Sequence, residues 1–128
     1  MTAGTPEVIV LKDDPVFVEM LRYALSARSY RFSHFRSGRE GLEKLLALDT
    51  GGSHPLVLLD VDLPGLDGFA VLEALNAARP GVFRSVFLTA HGSEDDQVRG
   101  LQAGAIDYLV TPVMPRVLLE KIRLWVGR

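Results

Sequence analysis

HPLVLLDVDLPGLDG, residues 54 to 68, is the stretch from which the fold can be read. Leu56, Val57, Leu58 and Leu59 form a short unbroken apolar run. A run of this kind, bounded by turn residues, suits a strand buried on both faces of a parallel sheet. It ends in Asp60, after which Pro64, Gly65 and Gly68 break the chain into a loop. A carboxylate at the C-terminal end of such a strand faces the crevice where open α/β sheets bind ligands.

Outward from this strand, the sequence alternates strand and helix. Glu7 to Lys12 (EVIVLK) reads as a β-branched strand after a frayed tail at residues 1–6. Asp14-Pro15 supplies an N-cap and a first-turn proline, followed at helical spacing by Phe17, Leu21, Ala24, Leu25 and Arg28. Tyr30 to Phe35 is a second, weaker strand. Ser37 with Glu40 makes a capping box before Leu42, Leu45 and Leu46. Downstream of the central strand, Asp67 caps a third helix through Leu72 and Leu75. Arg84 to Thr89 is the fourth strand. Ser93 heads a helix carrying Val98 and Leu101 and closed by Gly104. Ile106 to Val110 is the fifth strand, and Pro115 opens a last helix with Leu118, Ile122 and Trp125. Five strands, each followed by a helix, predict an α/β fold with a parallel sheet covered on both faces.

Composition narrows the function classes. A chain of 128 residues with 48% hydrophobic and 23% charged content has the size and make-up of one ordinary globular domain, 1–128. A formal net charge of -2 gives no basic field for nucleic acid or an anionic membrane. The lack of cysteine excludes disulfides, thiol catalysis and cysteine-zinc sites. MTAGTPE has no basic region followed by an apolar core, and no segment approaches the roughly 20 apolar residues of a membrane span. A soluble, cytoplasmic protein is the expectation.

The strand ends gather Asp13, Asp14, Asp60, Asp62, Thr89 and Thr111 at one edge of the sheet. Carboxylates titrate near about 4, so this edge is anionic at neutral pH unless a cation binds. Hard oxygen ligands at an open aqueous mouth favour Mg²⁺, and a carboxylate beside such an ion can attack phosphorus to give an aspartyl phosphate.

DDP after the first strand, LLDVDLPGLDG, FLTAHG and AGAIDYLVTP, in this order and spacing, resemble the landmarks of response-regulator receiver domains of two-component signalling. The resemblance runs from Glu7 to about Trp125. It implies a doubly wound, flavodoxin-like sheet of order 2-1-3-4-5, an order the chemotaxis member of the family exemplifies. It implies Asp60 as phosphoacceptor, Asp13 and Asp60 as metal contacts, and the backbone carbonyl of Asp62 as a further metal ligand. Thr89 matches the hydroxyl that contacts the phosphoryl group, and Tyr108 the aromatic that repositions with it. The phosphoryl donor would be a histidine kinase or phosphotransfer protein, with Mg²⁺ as cofactor. The output would be an effector domain or downstream protein on the fourth-helix, fifth-strand and fifth-helix face, with a homodimer also compatible. No enzymatic activity beyond the domain's own phosphorylation and dephosphorylation is implied.

Two departures stand out. Thr111 occupies the place of the family's usual lysine, and Lys12 that of the first acid when the alignment is anchored on Pro15, Leu21 and Leu25. Neighbouring strands lie roughly 5 Å apart, so in the implied order Lys12 on the first strand can reach Asp60 on the third. An ion pair there predicts weak Mg²⁺ binding and slow or absent phosphorylation, which leaves a phosphorylation-independent interaction module as the alternative. Tyr108 reads as a rim aromatic whose truncation spares the fold, or as half-buried packing. His91 reads as a solvated loop residue, Asp14 and Asp67 as helix caps, and Glu94, Asp95 and Asp96 as residues favouring a helix N-terminus. DVD at 60–62 also resembles the nucleophile motif of haloacid-dehalogenase-type phosphatases, a remote alternative, since that class places the motif near its start. A calcium loop fails, because Pro64 and Val71 stand at ligand positions.

Overall fold

The computed structural model describes residues 6–127; most of the expected tail, residues 1–5, lies outside the described residues. Five strands alternate with five helices: β1 (Glu7–Leu11), α1 (Pro15–Ser26), β2 (Arg31–Phe35), α2 (Gly38–Ala47), β3 (Leu56–Leu59), α3 (Gly68–Ala78), β4 (Arg84–Thr89), α4 (Glu94–Gln102), β5 (Asp107–Val110) and α5 (Pro115–Val126). The strands form one parallel sheet of order β2-β1-β3-β4-β5. Every residue of β3 is buried, as expected of a central strand covered on both faces.

The two-residue period of the strands divides the core. Val8, Val10, Leu56, Leu58, Val86 and Leu88 pack with α1 and α5 through Leu21, Leu25, Leu118, Ile122 and Trp125. Ile9, Leu11, Val57, Leu59 and Phe87 pack on the other face with α2 and α3 through Leu45, Leu72 and Leu75. The caps sit where the sequence places them. Asp14, Ser37, Asp67 and Ser93 accept from the backbone N–H of Phe17, Glu40, Ala70 and Asp96.

Packing differs from the helical pattern in three places. Leu46 is exposed, while its neighbour Leu45 enters the core. Val98 and Leu101, expected to anchor α4, are 46% and 49% exposed. The helix instead buries Gly100, where a Cβ would lie 2.6 Å from the Tyr108 ring and 2.9 Å from Phe87. Close approach of α4 to β5 therefore requires glycine, and the apolar residues of α4 are left facing outward.

Candidate functional site

Register builds the site. Leu11 pairs with Leu59, and the Asp60 N–H donates to the Leu11 carbonyl at 2.9 Å, so residues 12 and 60 leave adjacent strands side by side. Their even numbering puts both on the sheet side of Val8, Val10, Leu56 and Leu58. Lys12 Nζ lies 2.8 Å from Asp60 Oδ2, with side chains only 10% and 15% exposed. The backbone of Lys12 is held as well: its N–H donates to Phe35 O at 3.2 Å, and its carbonyl lies 2.7 Å from His34 Nε2. The Phe17 ring of α1 stands 5.5 Å from the ammonium, within cation–π range.

Burial alone would raise the pKa of Asp60. Hydrogen bonds from Lys12 and the Thr89 hydroxyl, the Lys12 charge and the Asp62 N–H outweigh it, and the carboxyl sits below its ordinary value. Asp60 is thus a firmly ionised carboxylate in a confined mouth. The Asp62 N–H is 3.3 Å from Oδ1, the oxygen that Lys12 leaves unpaired. Thr89 is fully buried, and its Oγ1 accepts from the His91 N–H at 3.3 Å. Thr111 joins through its backbone, its N–H donating to the Thr89 carbonyl at 2.8 Å; its bond to Pro112 is cis. Thr111, Lys12, Phe17 and Met20 line a neighbouring cavity of about 320 Å³.

Two residues differ from the expectations. Tyr108 is 7% exposed, not a rim residue. Its ring packs 5.3 Å from Phe87 and its hydroxyl donates to the His91 carbonyl at 2.5 Å. Burial, followed by the charges of Asp96 and Asp60, raises its pKa to about 12, and alanine there would open the core. His91 is not merely solvated: its Nε2 lies 2.7 Å from Asp62 Oδ2, and that bond raises its pKa. Arg36 was also unforeseen. Its Nε lies 2.9 Å from Asp13 Oδ1. The register gives only part of this contact: Leu11 pairs with Phe35, which sets Arg36 opposite Lys12, and its long side chain reaches one residue further to Asp13.

The donor set can be tested against Mg²⁺, which receiver domains generally bind for phosphorylation. Mg²⁺ is held by one or two carboxylates, substrate phosphates and several waters. Here Asp60 Oδ2 carries an ammonium and Asp13 carries a guanidinium. Among the described residues, no group of three His, Cys, Asp or Glu side chains could hold a metal ion. The residues do not fit a tight divalent site. No helix among the described residues is long and apolar enough to cross a membrane.

Residues 8–123 match the response regulator receiver domain family. The chain is 36% identical over 117 residues to the transcriptional regulatory protein HprR of Escherichia coli (strain K12), and 37% identical over 118 residues to AfsQ1 of Streptomyces coelicolor. These alignments cover 91% and 92% of the chain but 50% of each relative, so the chain spans about half the length of the curated relatives it matches. Among solved structures it is similar to a CheY-like response regulator receiver domain protein from Methanospirillum hungatei, with TM-score 0.86 and 29% identity, covering 97% of this chain and 95% of that one. A receiver domain of a signal transduction histidine kinase from Syntrophus aciditrophicus aligns with TM-score 0.80 and 28% identity, over 96% and 91% of the two chains. With the sheet order and the Asp60 mouth in place, the conclusion is that the chain belongs to the response regulator receiver domain family of two-component systems.

Proposed function

We propose that this domain accepts a phosphoryl group on Asp60 from the phosphohistidine of a histidine kinase or phosphotransfer protein, and thereby alters a partner-binding face. The observation that carries this reading is an ionised carboxylate at the mouth of the central strand with the Thr89 hydroxyl beside it. In the step, Asp60 Oδ1 attacks phosphorus while the bond from phosphorus to the donor's imidazole nitrogen breaks. That nitrogen keeps the electron pair and takes a proton from water. The Lys12 ammonium and the Thr89 hydroxyl offset charge on the transferred oxygens, the positioning and electrostatic work that dominates phosphoryl transfer.

Thr89 and Tyr108 would carry the change outward, because the His91 backbone binds both side chains. The face they border, α4–β5–α5, exposes Val98, Leu101, Ile106 and Val110. An effector domain, a downstream protein or a second copy of the chain would cover it; the half-length match to transcriptional regulators favours an effector domain. The setting would be the cytoplasm.

The test is labelling by acetyl phosphate or a phosphorylated kinase. Acid-labile label is expected on Asp60 and absent from Asp60→Asn; label persisting in that variant overturns the assignment. One observation favours a second reading, a phosphorylation-independent interaction module. The Lys12 ammonium already holds Asp60 in an ion pair, which lowers its nucleophilicity. Failure of the unmodified chain to label, with partner binding intact, would select that reading.

A further inference from the structure

We propose that Lys12 is a resident cation that takes the place of a divalent ion at Asp60, so that this site excludes Mg²⁺ and Asp60 reacts without it. The proposal deepens the reading of Asp60 as phosphoacceptor and rests on it for the reactive step; its metal-binding half stands alone.

Three observations carry it. The ammonium is in direct contact with Asp60 Oδ2 in a pocket nearly closed to water, so a metal ion would have to displace it against a short ion pair. The lysine is also fixed at both ends. Its backbone is tied to β2 through Phe35 and His34, and Phe17 flanks its head group. Swinging the side chain out would break the ion pair and the Phe17 contact together. Finally, one oxygen of the second carboxylate such an ion would need, Asp13 Oδ1, is paired at the surface with Arg36, a weaker barrier than the buried pair. Asp60 and Asp13, the two acids the family pattern assigns to the ion, thus each face a cation from their own chain. The ammonium supplies one positive charge and three donors, enough to neutralise one carboxylate oxygen and leave Oδ1 to attack.

The experiment uses the whole chain, ¹⁵N-labelled, with Mn²⁺ as paramagnetic probe and Mg²⁺ as competitor. In Lys12→Asp, the amide signals of Asp60 and Val61 should broaden saturably and recover with Mg²⁺. The unmodified chain should bind Mn²⁺ on the order of a thousandfold more weakly, the ratio expected when the side-chain charge changes by two units about 4 Å from a divalent ion even at water's dielectric constant. If Lys12→Asp does not fold, Lys12→Asn removes the charge alone and should show part of the gain. Labelling by acetyl phosphate, with and without EDTA, supplies the other arm. The chelator should leave the rate of the unmodified chain unchanged and abolish labelling of Lys12→Asp. Saturable Mn²⁺ binding at Asp60 in the unmodified chain, at an affinity close to that of Lys12→Asp, overturns the proposal. So does a labelling rate of the unmodified chain that collapses in EDTA. If the unmodified chain takes no label in either buffer while its Mn²⁺ affinity stays low, Asp60 is not the acceptor and the exclusion of metal is upheld.

Discussion

Replacing Lys12 with methionine keeps an unbranched stem beside Phe17 and removes the ammonium. At the observed 2.8 Å, the attraction lost is about 6 kcal/mol for an effective dielectric constant of 20, before any desolvation is counted. The net cost is smaller, because removing the ammonium also removes the penalty of burying it. Breaking a buried pair by taking one partner away costs about 3–5 kcal/mol, since a carboxylate stays behind without its counter-charge. Asp60 retains the Thr89 hydroxyl and the Asp62 N–H, so the lower end, about 3 kcal/mol, is expected. For a chain of this length that is roughly a 10 °C fall in Tm. Urea unfolding followed by far-UV circular dichroism and by Trp125 fluorescence gives the number directly, provided the slope against urea is unchanged. Adding Asp60→Asn to Lys12→Met removes the stranded charge and should recover more than half of the loss. A loss within about 0.5 kcal/mol for Lys12→Met, the range of solvated surface pairs, would refute the reasoning and mean that water already screens this pair.

Other expectations follow from the same geometry. The folded-state pKa of Asp60 is depressed, so its contribution to stability is present above the ordinary carboxylate pKa and is lost as pH falls through the folded value; acid unfolding of Lys12→Met should show a flatter dependence over that window. His91, raised by Asp62, should titrate above its ordinary value by NMR and fall back in Asp62→Asn; no change between the two would mean the contact is absent in solution. Tyr108→Phe removes only the donor to the His91 carbonyl and should cost about 1 kcal/mol, whereas Tyr108→Ala should cost about 3 kcal/mol or more by emptying core volume; equal thermal melts would refute the burial argument. Gly100→Ala should lower stability by about 1 kcal/mol, since crowding of Tyr108 and Phe87 outweighs the helix propensity gained.

Much of this architecture was legible because local signals agreed with one another. Asp14-Pro15, Ser37, Asp67 and Ser93 each mark a helix start by chemistry that acts within three residues. The apolar run at Leu56–Leu59 marks the central strand in the same way. Matching Pro15, Leu21 and Leu25 to the family pattern put Lys12 in the place of the first acid, and the adjacency of β1 and β3 sets that place beside residue 60. Contacts that depend on three dimensions were harder to read. His91 and Asp62 lie in different loops 29 residues apart and meet only once β3 and β4 are paired. Of the two readings of Tyr108, packing holds and the rim position does not: alternation along a four-residue edge strand does not tell whether a helix covers its outer positions, and the missing Cβ of Gly100 lets α4 do so. Val98 and Leu101 were misplaced for the same reason, since glycine carries no apolar signal in a helical pattern.

The ion pair also has a direction within the sheet. Lys12 follows β1 and Thr111 follows β5, on opposite sides of β3. The side-chain cation at Asp60 therefore comes from the flank that leads into α1. Any reagent that draws Lys12 off Asp60 must disturb the neighbour of the Phe17 ring, one turn above the exposed Met20 and beside the exposed Val16. A lysine at position 111 would stand on the α5 side of Asp60; Lys12 stands on the α1 side, against Phe17. Any change in the charge of Asp60 would therefore be felt by the first helix through Lys12, as well as by the Thr89 and His91 side of the mouth.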